Sequence, residues 1–272
     1  MKARWMIAIL VLTFLFVLMP FLFWQATWFG KPLSAEDIGK ALADNEHPRE
    51  VQHALSQIAD RILAPDTPTR DSARQFYPTV VKVAQSSTPE LRTTAAWVMG
   101  QDNSVPEFHT ELSELLHDSN PMVRRNAALA LVRFNDVSGR DEIRALLAPY
   151  SMPSPFTGTL ETRLKPNDAV NPGTLLGHIR VSGNDERELR CDVPGSLNHW
   201  LAADGSMVAL NQPILLIDPS PAEVYEALRA LYVIGEPQDL PAVEQFIHGG
   251  DSVPANVRQQ AELTANQLRS KH

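Results

Sequence analysis

The chain is 272 residues long, 44% hydrophobic and 21% charged, with a net charge of −8. That length holds one large domain or two modest ones, and the composition is that of a globular protein. The acidic balance leaves no basic footprint for nucleic acid or an anionic membrane surface, and a single cysteine, Cys191, excludes an internal disulfide framework and a cysteine-built metal cage.

From Trp5 to Trp24 the chain carries no charge and consists mostly of Leu, Phe, Ile, Val and Met. At a rise of about 1.5 Å per residue, such a helix crosses a bilayer core of roughly 30 Å. Lys2 and Arg4 precede it, so residues 1–4 are expected in the cytoplasm, with a transmembrane helix over 5–24 and a linker over 25–33. A cleaved secretory signal is the alternative, but Phe23-Trp24-Gln25-Ala26-Thr27-Trp28 offers a poor small-residue cleavage site. The expectation is a single-pass cell-membrane protein whose bulk lies on the extracytoplasmic, periplasmic side.

Residues 34–150 and 220–272 read as helical. An aliphatic residue follows a proline at Val51, Leu91, Val123, Val224 and Val257, with gaps of 40, 32, 101 and 33 residues. Thr88-Pro89, Asn120-Pro121 and Ser220-Pro221 each set a capping side chain before a proline at the first helical position. Ser220 with Glu223, and Ser104 with Glu107, fit the reciprocal capping box. In Val123-Arg-Arg-Asn-Ala127-Ala128-Leu129-Ala130-Leu131-Val132, small alanines permit close helix packing and Arg124, Arg125 and Arg133 fall on another face. Helix pairs repeating at this period indicate an α-solenoid, because one pair cannot bury its own apolar face.

The segment Leu115-Leu-His-Asp118-Ser-Asn120-Pro-Met-Val123-Arg124-Arg125-Asn-Ala127-Ala128-Leu129-Ala130-Leu131 resembles the HEAT repeat family, in which an acidic turn precedes a Val-Arg pair and an Ala-rich helix. Leu91-Arg92, Val224-Tyr225 and Val257-Arg258 begin weaker copies, and Val51-Gln52 departs further, as an atypical cap would. The resemblance implies a protein-binding scaffold, although some relatives act as lyases or hydroxylases. Arg92, Arg124 and Arg125 have two readings: a ladder of partner-binding cations, or pairs with acidic turn residues of neighbouring repeats. Gln101, Asp102 and Asn103 form a polar loop that could contact a partner, while Trp97 and Met99 are expected in the core.

The gap of 101 residues exceeds one repeat, and residues 151–219 read as a β domain inserted into the helical array. It carries its own duplication: Gly158 and Gly195 are 37 apart, as are Asn167 and Asp204, while Val170 and Val208, and Ile179 and Ile217, are 38 apart. Two similar, interlocking hairpin units are expected, with turns at Asn167-Asp168 and Asp204-Gly205 and a hairpin tip at Gly183-Asn184-Asp185. The opening Ser154-Pro155-x-x-Gly158, the Asn167-Asp168-x-Val170 turn and the closing Pro172-Gly173-x-x-Leu176 resemble the biotinyl/lipoyl barrel-sandwich domain, also found in membrane fusion proteins. A swinging-arm carrier would need a lysine on the hairpin joining the halves. None lies between Ile179 and Leu197, and Lys165 precedes a different turn.

No G-x-S-x-G, phosphate-binding glycine loop or H-E-x-x-H is present, and the histidines lack the i, i+4 spacing of a helical metal site. Cys191 is expected to be a buried packing residue. The fold class is therefore α+β multidomain: a HEAT-like solenoid interrupted by a β barrel-sandwich domain, behind an N-terminal transmembrane helix. The expected function is a non-enzymatic, membrane-anchored extracytoplasmic adaptor that binds protein partners in a membrane or envelope complex, without catalytic, cofactor or metal residues and without nucleic acid. The alternatives are an enzyme or cofactor-handling assembly factor with a site at the solenoid–barrel junction, and a transport-related role as a divergent membrane fusion protein, against which stands the short connection between the two barrel halves.

Overall fold

A computed structural model describes residues 5, 12–21, 32–44, 46–183, 185–250 and 253–271. The chain divides into two compact units, Met1–Val80 and Val81–His272. Residues 12–21 are helical and carry exposed Leu12, Phe14, Leu15, Phe16, Val17, Met19 and Phe21. The rest of the expected 5–24 span apart from Trp5, the flanking 1–4 segment, most of the 25–33 linker, Asn184 and His272 lie outside the described residues. Among the described residues, no helix is long and apolar enough to cross a membrane.

In the first unit, α1 (Ala35–Ala43) packs on α2 (Pro48–Ile62), which packs on α3 (Thr67–Ala73). Ser34 and Asp66 start α1 and α3 by accepting the N–H groups of Asp37 and Thr69, donors that the first helical turn leaves unpaired. Ile38, Val51, Leu55 and Ile58 supply the buried faces. Helix α4 (Tyr77–Ala84) follows.

The second unit continues with α5 (Pro89–Met99), α6 (Pro106–Leu115), α7 (Pro121–Val132) and α8 (Arg140–Ala145), all but α8 opened by a proline. Asn120 caps α7 by accepting from Met122 N–H at 2.9 Å. Thr88 makes no side-chain cap. The expected Ser104–Glu107 box does not form: Pro106 sets the helix start one residue later, at Val105, and the Ser104 hydroxyl donates to Asp102 instead. Helix α5 packs on α7 so closely that a Cβ at Gly100 would lie 2.8 Å from the Ala130 Cβ. Gly139 approaches Ala128 in the same way, which explains the small residues of this helix.

After the β strands come α9 (Pro221–Ile234), α10 (Leu240–His248) and α11 (Ala255–Arg269). Ser220 and Glu223 form the capping box expected for α9. Helix α9 packs on α7 and α8, and α11 packs on α9 and α10. One apolar core runs from Ala128, Ile143 and Leu146 through Val224, Leu228 and Leu231 to Val257, Ala261 and Leu268. The long gap in the repeat is thus a strand-bearing connection between α8 and α9, whose flanking helices share a core.

That connection forms two four-stranded antiparallel sheets, ordered β1-β8-β6-β3 and β5-β4-β2-β7. The strands are β1 (Tyr150–Pro153), β2 (Gly158–Thr162), β3 (Ala169–Val170), β4 (Leu175–Ser182), β5 (Asp185–Arg190), β6 (Gly195–Trp200), β7 (Met207–Val208) and β8 (Pro213–Asp218). Neither sheet closes into a barrel. Each half lends one short strand to the other: β7 pairs with β2, and β3 with β6. Leu160 opposes Ile179 in one sheet, and Leu197 opposes Ile217 in the other. A Cβ on Gly158 would strike the carbonyl of Arg180, and one on Gly195 that of Asp218, so close strand approach requires glycine at both. Asn167 and Gly205 hold φ of 73° and 75°, and Gly173 and Asn211 hold 86° and 63°. Each pair is 38 residues apart, so the duplication reaches the left-handed turn positions.

Candidate functional site

Helices α5, α7, α9 and α11 stand side by side in the second unit. The aliphatic residue that begins each repeat, Leu91, Val123, Val224 or Val257, is buried, and so are the alanines one turn on, Ala95, Ala127 and Ala261. Six residues after each aliphatic position stand Trp97, Leu129, Ala230 and Leu263, which turn to the other side of their helices. All four line an open groove. Its larger part, about 540 Å³, lies among Leu129, Val132, Tyr232, Val233 and Leu263, and a second part of about 350 Å³ continues to Trp97 and Gly100. Leu129, Arg133 and Glu226 line both parts. Trp97, Tyr232, Val233 and Leu263 are 42–50% exposed, unusual for residues of this size and apolarity.

Trp97 is therefore not a core residue. Met99 is fully buried, and two residues of helix rotate a side chain by about 200°, so the two cannot share a face.

The polar loop after α5 organises one wall of the groove. Arg133, at the C-terminal end of α7, donates from Nη1 to the Gly100 carbonyl at 3.0 Å and to the Gln101 side-chain oxygen. Asn103 Nδ2 donates to the Arg133 carbonyl at 2.7 Å, an acceptor that the helix end leaves open. Asp102 accepts from the Ser104 N–H and hydroxyl and so fixes the turn. Gln101 and Asn103 thus converge on Arg133. The groove residues Arg133, Tyr232 and Leu263 were not among the sequence candidates. The signal for them was the repeat register, read on the face opposite the alanines.

Arg92, Arg124 and Arg125 lie elsewhere, between helices. Arg92 holds Asp118 through Nε and Nη2 at 2.6 and 2.8 Å and donates to the Ser86 carbonyl. Burial would raise the Asp118 carboxyl, but Arg92 and the Asn120 N–H outweigh it and hold the group below the usual carboxylate range. Arg124 donates to the Asp118 and Ser119 carbonyls and pairs with Glu142 at 3.3 Å. Arg258 likewise donates to the Gly250 and Val253 carbonyls of its preceding turn. Arg125 is buried, pairs with Glu223 at 2.8 Å and lies 5.4 Å from the Tyr150 ring centre. Burial pushes its guanidinium down, and it pushes the Tyr150 hydroxyl and the Asp192 carboxyl up.

In the first unit, Asp44, His47 and Glu50 each bring one ligand atom within 4.8 Å of the others, a grouping that a search for paired histidines does not find. The Asp44 carboxylate already accepts the N–H groups of Glu46 and His47 and the His47 ring at 2.8 Å, which accounts for the cluster as the turn before α2.

Residues 77–150 match the HEAT repeats family. No curated protein matches the chain. Among solved structures, the crystal structure of an engineered protein is similar at 15% identity, over 87% of this chain and 89% of that one, with a TM-score of 0.34. Within residues 77–150, the chain carries HEAT repeats.

Proposed function

We propose that this protein is a membrane-anchored adaptor whose helical groove docks a protein partner. The groove carries the reading: Trp97, Tyr232, Val233 and Leu263 present apolar side chains to solvent along one face, where a monomer would be expected to bury them. The anchor is the uncharged 5–24 run, read as a single transmembrane helix with the remaining chain on the extracytoplasmic side. The exposed apolar side chains over residues 12–21 suit a lipid environment.

The 151–219 insertion is read as a biotinyl/lipoyl-like barrel-sandwich domain of the membrane fusion protein type. Its exchanged strands and its repeated glycine and left-handed positions favour that reading. With no lysine on the β4–β5 hairpin, it would serve as a second docking surface in a membrane or envelope complex.

Quantitative co-purification from native membranes tests the proposal, comparing the full chain, a Tyr232→Asp/Leu263→Asp variant and a chain lacking 151–219. Loss of one stoichiometric partner in the groove variant is expected, with a separate loss on deleting the insertion. An identical partner set in all three would sink the adaptor reading.

A further inference from the structure

Among the described residues, Arg133 is the groove arginine that forms no ion pair with a carboxylate. Among the described arginines of α5–α11, Arg92, Arg124, Arg125, Arg140, Arg144, Arg229 and Arg269 each pair with a carboxylate. Arg258 is turned onto its own turn's carbonyls. Arg133 makes bonds only through Nη1, to a neutral carbonyl and a neutral amide, which orient its guanidinium without cancelling its charge. Its Nε and Nη2 edge carries no partner among the described residues. Glu226 also lines the groove, but Arg229 pairs with it at 3.3 Å.

We propose that Arg133 makes this groove a receptor for an acidic, apolar peptide segment: a stretch of partner polypeptide with one carboxylate flanked by aliphatic or aromatic side chains. The carboxylate would meet the free edge of Arg133, whose planar fork matches two oxygens. The flanking side chains would cover Trp97 and Leu129 on one side and Tyr232 and Leu263 on the other, in the manner of apolar anchors around a charged contact. In a chain of net charge −8, the charge of Arg133 selects against a basic partner as much as for an acidic one.

This inference rests on the docking reading of the groove, and one experiment separates the two. A random peptide library is selected on the full-length chain in detergent, and enriched peptides are measured by fluorescence anisotropy. The expected peptides carry Asp or Glu between apolar residues. They should lose roughly tenfold in affinity when that acid becomes its amide, and by a similar factor on Arg133→Met. The amide peptide leaves the protein untouched, so a folding defect cannot mimic the effect. Peptides that bind and weaken on Tyr232→Ala, yet are indifferent to both the amide and Arg133→Met, overturn acid recognition and leave the docking reading standing. No enrichment, or binding indifferent to Tyr232→Ala and Leu263→Ala, overturns both.

Discussion

Arg125 of α7 donates to Glu223 of α9 at 2.8 Å, across 98 residues of chain. The same guanidinium faces the Tyr150 ring at the start of β1, and Glu223 also closes the capping box that begins α9. One buried side chain thus fastens the helices on either side of the β insertion to each other and to the insertion's entrance.

Breaking this pair should be costly. Removing one partner of a buried ion pair leaves an unpaired charge, worth about 3–5 kcal/mol. Arg125→Met and Glu223→Leu should each lower the urea midpoint, and the double variant should recover much of the loss. Additive losses in the double variant would refute mutual neutralisation.

The Arg92–Asp118 pair predicts an acid sensitivity. The folded Asp118 carboxyl lies below its unfolded value of about 3.9, so its contribution is present above that pH and fades as pH falls through the lower folded value. Unfolding free energy measured from pH 7 to 2.5 should decline less steeply below pH 4 for Arg92→Gln than for the native chain. Parallel curves would remove Asp118 from the account.

Cys191 should be inert. It is 2% exposed, its thiol bonds to the Val193 carbonyl at 3.0 Å, and burial pushes it up to about 11. At pH 8 the folded chain should alkylate orders of magnitude more slowly than the chain in denaturant. Equal rates would mean that this part of the β core opens freely.

Much of the helical plan was legible because prolines, caps and alanines are local signals. The placement of Val123, Ala127 and Ala128 follows directly from helical period. The duplication was legible too, since glycines and left-handed turn residues are needed where backbones meet. What the sequence conceals is which cation remains unpaired. Arg92, Arg124 and Arg133 look alike in the chain, and only packing shows that two find carboxylates while the third faces a groove. Trp97 misled for a related reason: an apolar side chain beside buried neighbours reads as core until its rotation about the helix is considered.

If the α5–α7–α9–α11 face holds the partner, a cross-linker set into that face must capture it. A photo-crosslinking residue placed in the full chain at Tyr232, at Leu263 or at Val137, an exposed apolar residue outside the groove lining, tests this in native membranes. One discrete cross-linked partner is expected from positions 232 and 263, lost on Arg133→Met, and none from 137. Cross-linking from 137 alone, or equally from all three, would contradict docking on this face.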